Sequence, residues 1–406
     1  MLIYMNFIKE KESKKMKAVY IPLGAAGHVL SSLPMIGQLV QKGVDVRYFS
    51  PDRYKEQVEK TGARHIELPV IAGKNSVEGG DDFVAGLPYV FLGEALGVID
   101  IIMAELEADR PDVIIVDEIA LAGRLAAWKL NIPMVMMFTS FAANEHFSIS
   151  RFWPVYSDEH PARAAAKELA LKVQAEYGGP LIDIYEIFEG IGDFNIVTQP
   201  KSFHPAGETF GDNFFFAGAQ IAPRANDGTW QAPDNGKPLL YTSLGSLFNN
   251  WPEFYKMLFE AVKDLDINIL CSLGNTLKPE DLGEIPANVT TMAFTPQLEV
   301  LAKTDYFITH AGTGSAMEAL YFGVPCLCVP QMDEQVFTAG QMVKLDLASA
   351  ALTRDKVTTE SLREGILALI NDPKYKNNAQ AMADEMHEKG GCERAAQAVI
   401  DYVNSL

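Results

Sequence analysis

The chain has 406 residues, 48% of them apolar and 21% charged, with a formal net charge of −19. That length exceeds what one ordinary hydrophobic core absorbs, so two domains, or three, are expected. The negative balance is spread over many helical faces with no basic stripe, which argues against nucleic acid or an anionic membrane as a partner. It leaves phosphate chemistry open, because a nest of backbone N–H groups binds an anion even inside an acidic protein.

Residues 1–16, "MLIYMNFIKEKESKKM", place an apolar patch ahead of charged residues, the reverse of a secretory signal. They are read as an N-terminal extension, with Met16 as the start of the folded domain. No apolar run is expected to reach the roughly 18 residues of a membrane-spanning helix. The four cysteines, Cys271, Cys326, Cys328 and Cys392, lack metal-site spacing, and three lie in or beside apolar runs. They read as buried thiols of a reducing compartment, and the protein as cytoplasmic.

From residue 17 onward, short β-branched runs alternate with helical patterns, the mark of βαβ units around parallel sheets. The strand candidates of the first half are "KAVYIPL" (17–23), "DVRYFS" (45–50), "HIEL" (65–68), "DVIIVD" (112–117), "PMVMMF" (133–138) and "NIVTQ" (195–199). The helical pattern over 32–43 ends on a glycine suited to a helix C-terminus. Residues 139–193 interrupt the alternation with aromatic loops and an Ala-rich helix over 161–177, the kind of insertion in which a ligand pocket is built. Residues 219–237, dense in Pro, Gly, Asn and Asp, form the best linker in the chain. After it the alternation restarts with "PLLYTSL" (238–244), "INILCSL" (267–273), "VTTMAF" (289–294), "YFITH" (306–310), "PCLCVP" (325–330) and "ASAALT" (348–353), followed by a helical tail over 359–404. The fold class is therefore α/β, with two doubly wound Rossmann-like domains, 17–218 and 238–406, joined by one linker.

In such sheets ligands bind beyond the carboxyl ends of the strands, so functional residues are sought in the loops that follow them. After "YFITH" the chain turns through Gly312, Thr313, Gly314 and Ser315 into a helix. Glycines permit close backbone approach, and a helix N-terminus offers unpaired N–H donors with partial positive charge, which together suit a diphosphate. His310, last in its strand, faces the same space. The alternative is a capping box, in which Ser315 and Glu318 only satisfy their own backbone. A second polar group, Asp333-Glu334-Gln335, follows the next strand.

Near the first strand, "IPLGAAGHVLSSLP" places His28 at the mouth of a strand-to-helix loop, where an imidazole could take a proton from an attacking hydroxyl. The helix N-terminus is expected to disfavour imidazolium and keep that base free near neutral pH. Asp117 ends the fourth strand, next to the first in a 3-2-1-4-5 order, and is the candidate to orient His28. A satisfied loop histidine, and an aspartate that caps a helix, are the alternatives. The remaining histidines lack metal-ligand spacing. Phe141, His146, Phe147, Phe152 and Trp153 either line an apolar acceptor pocket or belong to a core.

Taken together, "FTPQLEVL" (294–301), "FITHAGTGSAMEALYFGVPCLCVP" (307–330) and "DEQ" (333–335) resemble the C-terminal signature of nucleotide-diphosphate-sugar-dependent glycosyltransferases, among them plant natural-product enzymes and bacterial macrolide and flavonoid transferases. The motif covers about 42 residues, and the strand and helix order from 17 to about 403 follows the same pattern. The resemblance implies a GT-B fold, inversion at the anomeric centre, no metal and no cofactor besides a UDP-sugar co-substrate. It gives His310, Gly312, Thr313, Gly314, Ser315 and Ser246 to the diphosphate, Gln297 to the uracil or ribose edge, Glu318 to the ribose hydroxyls, and Glu334 and Gln335 to the sugar. Phe294 stands where the family commonly has tryptophan; it can still stack on a base, but its smaller face leaves the choice of uridine open. His28 with Pro34 matches the family's catalytic histidine context. The implied reaction is transfer of a sugar, glucose from UDP-glucose, to a hydroxyl of a hydrophobic small molecule. A dinucleotide-dependent oxidoreductase is disfavoured because "GAAGH" lacks the G-x-G-x-x-G spacing and no acid ends the second strand. A catalytically silent nucleotide-sugar binder would need no base at His28 beside the Glu334-Gln335 pair, and sugar-nucleotide epimerases, which share the fold class, are a smaller alternative.

Overall fold

The computed structural model describes residues 15–69, 82–152, 160–184, 187, 189–221, 230–245 and 249–406. The first half runs β1 (Lys17–Ile21), α1 (Ala26–Gln41), β2 (Asp45–Ser50), α2 (Lys55–Lys60), β3 (Arg64–Glu67), α3 (Asp82–Ala108), β4 (Val113–Asp117), α4 (Leu121–Leu130), β5 (Met134–Phe138), α5 (Pro161–Tyr177), β6 (Phe194–Val197) and β7 (Phe214–Phe216). The second runs β8 (Leu239–Ser243), α6 (Pro252–Val262), β9 (Asn268–Ser272), β10 (Val289–Met292), α7 (Gln297–Leu301), β11 (Tyr306–Thr309), α8 (Thr313–Tyr321), β12 (Cys326–Cys328), α9 (Asp333–Lys344), β13 (Ala348–Ala351), α10 (Thr359–Asn371), α11 (Pro373–Lys389) and α12 (Cys392–Asn404).

Two parallel sheets result, in the orders β3-β2-β1-β4-β5-β6-β7 and β10-β9-β8-β11-β12-β13. Parallel strands demand crossover helices, and helices on both faces bury the central strands. Every residue of β4, β5 and β8 is buried. The apolar runs of the sequence become strands for that reason. On the first sheet, α3, α4 and α5 cover one face, while α1 and α12 cover the other. On the second, α8, α9 and α11 oppose α6 and α10.

Two expectations need correction. The three-residue edge strand β7 was not anticipated. Within α3, Ala85–Ala108 is long and apolar enough by length and composition to cross a membrane, although no run of that length was expected. Its Leu92, Ile99, Ile102 and Leu106 are instead buried in the core shared with β4 and α4, each such side chain stabilising the fold by about 1.5–3 kcal/mol.

The chain leaves the first sheet after β7 and returns to it at α12, whose Ala395, Ala396 and Val399 are fully buried with Ala18 and Tyr20 of β1. The outgoing and returning segments touch. Gly391 donates its N–H to the Ala217 carbonyl at 2.6 Å, and a Cβ on Gly390 would run into the same carbonyl oxygen. Gly390→Ala is therefore expected to cost about 1–3 kcal/mol through overpacking against rigid backbone, measured as a lower denaturation midpoint. Residues 1–14 and residues 222–229 of the expected linker lie outside the described residues.

Candidate active site

The register of β1 with β4 aligns Ile21 with Val116, so the loops leaving these two strands emerge side by side. The first enters α1 through an extended Ala25 N-cap and carries His28; the second begins at Asp117. His28 Nδ1 lies 2.7 Å from Asp117 Oδ2. A carboxylate oxygen only accepts, so Nδ1 carries the hydrogen. Asp117 Oδ1 accepts from Ile119 N at 3.0 Å, which steadies the carboxylate. Asp117 does not cap α4, whose N-cap is Ala120.

Two residues that the sequence reading missed complete this group. Glu118 is fully buried and accepts from Thr139 N through both oxygens at 3.0 and 3.1 Å, from Thr139 Oγ1 at 2.9 Å and from Ser140 N at 3.0 Å. Thr139 Oγ1 is also 3.2 Å from His28 Nδ1. The register of β4 with β5 pairs Asp117 with Met137, bringing Glu118 and Thr139 together just past the strand ends.

The field at His28 overturns the expected neutral imidazole. Burial pulls its pKa down, but Asp117 by charge and hydrogen bond, then Glu118 and Glu334, more than offset this and raise it to about 9. Three carboxylates outweigh one helix terminus. Burial and the charge of Asp117 hold Glu118 well above the usual carboxylate range. His28, Asp117 and Glu118 also bring ligand-type atoms within 4.8 Å of one another, a grouping that histidine spacing did not reveal. Each residue already has the protein partners named above.

Glu334 belongs to α9, which meets the first half through Phe337 against Phe141 and through Gln341 Nε2 donating to the Phe203 carbonyl at 2.7 Å. Thr313 Oγ1 donates to Glu334 Oε1 at 2.9 Å, and the buried Gln335 accepts from Gln331 N at 2.9 Å. Beside them His310 directly follows β11, and after it come Ala311 at φ 60° and Gly312, the N-cap of α8. The His310 ring lies between Gly245 and Gly312: a Cβ on Gly312 would stand 2.5 Å from Nε2, and one on Gly245 2.8 Å from it. These glycines are demanded by the imidazole itself, not only by ligand approach. At Gly314 a Cβ would meet nothing. Burial lowers the His310 pKa to about 4, opposed by a hydrogen bond with the Ser243 backbone, and Nδ1 has no partner among the described residues.

The capping-box alternative does not hold. Gln297 Nε2 donates to Glu318 Oε2 at 2.6 Å and to Ser315 Oγ at 3.3 Å, while Tyr241 OH donates to Gln297 Oε1 at 3.3 Å. Phe294, just ahead of this network, is 60% exposed. Ser246 and Trp153 lie outside the described residues.

The aromatic segment after β5 is divided. Phe141 is buried and meets Phe337 of α9 edge-on at 4.9 Å, and Phe147 lies 5.6 Å from the same ring; both belong to a core joining the halves and offer little surface to a ligand. Phe152 is 62% exposed and 4.8 Å from Phe337. His146 is exposed, 3.3 Å from Glu145. An apolar cavity of about 390 Å³ lies elsewhere, between the β1–α1 loop, Pro51, Leu68, Ile119 and the α3 residues Phe91, Glu94 and Val98. Its wall includes Ala25 and Ile119, from the loops that carry His28 and Asp117.

Two doubly wound domains whose strand-end loops supply a His–Asp pair from one half and a glycine-flanked helix N-terminus from the other define a GT-B glycosyltransferase. The chain matches the family model for the erythromycin biosynthesis protein CIII-like C-terminal domain over residues 256–401. It is 34% identical over 396 residues to the NDP-glycosyltransferase YjiC of Bacillus subtilis strain 168, covering 96% of this chain and 98% of that one. It is 33% identical to the demethyllactenocin mycarosyltransferase of Streptomyces fradiae, covering 93% and 84%. The crystal structure of the calicheamicin glycosyltransferase CalG4 superposes with a TM-score of 0.84 at 27% identity, covering 96% and 99%. The chain belongs to this family of bacterial NDP-glycosyltransferases, and the oxidoreductase alternative falls.

Proposed function

We propose that the enzyme transfers a sugar, glucose from UDP-glucose, to a hydroxyl of a hydrophobic small molecule such as a flavonoid, another phenolic or a macrolide, with inversion and without a metal. One observation carries the reading. Ala25 and Ile119, close in the chain to the hydrogen-bonded His28–Asp117 pair, line the apolar cavity, and α9, which carries Glu334 of the other half, packs on the first half through Phe337 against Phe141. His28 Nε2 takes the acceptor's proton as its oxygen bonds to the anomeric carbon; the bond to the diphosphate breaks from the opposite face, and Asp117 balances the imidazolium. The N–H groups at the start of α8, with His310, receive the departing diphosphate. Phe294 stacks on the base, Gln297 and Glu318 serve the nucleoside, and Glu334 and Gln335 serve the sugar. The three buried cysteines and half-buried Cys392, all free thiols, support a cytoplasmic location.

The test is a donor screen read by mass spectrometry with one phenolic acceptor, carrying UDP- and dTDP-sugars together because the relatives differ in their named sugars. A mass gain of one hexose from UDP-glucose, unchanged by EDTA and lost in His28→Ala, is expected. Loss of transfer with EDTA would instead give the His28–Asp117–Glu118 group to a cation. At the other loop, Gly314→Ala is expected to leave thermal stability unchanged while raising the donor KM roughly tenfold, since it fills space next to the anion site. Gly312→Ala displaces His310 and lowers stability as well.

A further inference from the structure

The reading of His28 as base leaves Glu118 unexplained. A second buried carboxylate beside Asp117 opposes it by like charge, and an unneeded charge at that depth is costly. Its partners show what it does. The one hydroxyl hydrogen of Thr139 is taken by Glu118 Oε1 at 2.9 Å. Towards His28 Nδ1, 3.2 Å away, Thr139 Oγ1 can then only accept. Nδ1 therefore faces two acceptors, Asp117 Oδ2 and Thr139 Oγ1, and Nε2 is the nitrogen that gives up its proton. A Thr139 hydroxyl not engaged by Glu118 could turn and donate to Nδ1, supporting the tautomer in which Nε2–H is useless as a base.

We propose that Glu118 is a positioning residue that acts through the Thr139 hydroxyl to hold His28 in the Nδ1–H tautomer, leaving Nε2 as the proton acceptor. This rests on the assignment of His28 as base. It adds to Asp117 a second arm that comes from the next strand, β5, so the ring is fixed from two strand ends.

The charged groups acting on His28 are Asp117 and Glu118 from the end of β4 and Glu334 from α9. Glu118→Gln keeps an acceptor oxygen for Thr139 and Ser140 but removes one of these charges, so the two contributions separate. Wild type, Thr139→Val, Thr139→Ser, Glu118→Gln and His28→Ala are compared in kcat, KM and the pH profile of kcat/KM. Histidine-labelled ¹⁵N spectra of His28 above its pKa report the tautomer. Thr139→Val is expected to lower kcat about tenfold, less than the 10²–10⁴ that a proton-transfer group itself contributes, with both KM values within twofold and a new Nε2–H population. Thr139→Ser restores kcat. Glu118→Gln moves the acid limb to lower pH, and in the Thr139→Val background it changes the limb but not the plateau. Unchanged kcat and spectrum in Thr139→Val, or failure of serine to rescue, overturns the proposal. If His28→Ala itself transfers sugar at the wild-type rate, the base assignment falls first. If that variant is inactive while Thr139→Val is normal, only the tautomer lock is wrong.

Discussion

His28→Ala is expected to lower kcat about a thousandfold, within the 10²–10⁴ range for a positioned general base, while UDP affinity changes less than twofold. The side chain is half-buried at the N-terminal turn of α1, and the contacts assigned to the donor lie on α7, α8 and α9 of the other half. Removing the imidazole leaves those contacts intact, so isothermal titration with UDP separates base loss from misfolding. Alanine also leaves Asp117 and Glu118 as neighbouring buried carboxylates without their cation. Part of that cost is relieved by protonating Glu118, already displaced upward by burial and by Asp117. The variant therefore remains folded at neutral pH and loses stability in alkali, a pattern visible in thermal melts at two pH values. A variant that turns over normally would move proton transfer to another group.

The fold was legible because the central strands are buried on both faces and so read as apolar runs; the strands that were expected agree with those found to within a residue or two. β7 was not legible, since three phenylalanines at a sheet edge, followed by Ala217 and Gly218, look like any aromatic loop. The membrane-length stretch of α3 was obscured by Pro88, Gly93 and Gly97, which break the run to the eye without breaking the helix. His28 and Asp117 were found because one lies in the turn into the helix after β1 and the other ends β4, its neighbour in a known order. Glu118 and Thr139 were not, because their contact depends on the register of β4 against β5, and each alone is an ordinary polar loop residue. The charge on His28 was misjudged for a related reason. The helix N-terminus is local and readable, whereas Glu334 acts from the other half and Glu118 through its burial. Phe141 and Phe147 show the same limit, since only the placement of Phe337 makes them a joint between halves.

Asp117→Asn, followed across pH, tests the electrostatics. In the wild type the imidazole, with a pKa raised to about 9, is mostly imidazolium at neutral pH. A base-dependent kcat/KM should then fall about tenfold for each pH unit below 9, reaching about one-hundredth of its plateau at pH 7. After the opposing effect of burial, Asp117 is the largest influence on that pKa, so asparagine moves the acid limb to lower pH. It also lowers the plateau, because an amide N–H turned towards Nδ1 favours the unproductive tautomer. Stability follows the same proton with the opposite sign. A histidine whose folded pKa is above its unfolded value of 6.5 stabilises the fold fully below pH 6.5, and that contribution fades as pH rises through 9. For a shift of this size it is of the order of 3 kcal/mol. The wild type should therefore gain catalytic rate and lose thermal stability over the same interval, pH 6.5 to 9, while Asp117→Asn flattens both curves. A wild-type acid limb centred near 6.5, with stability independent of pH across that interval, would mean that the three carboxylates do not act on His28 together.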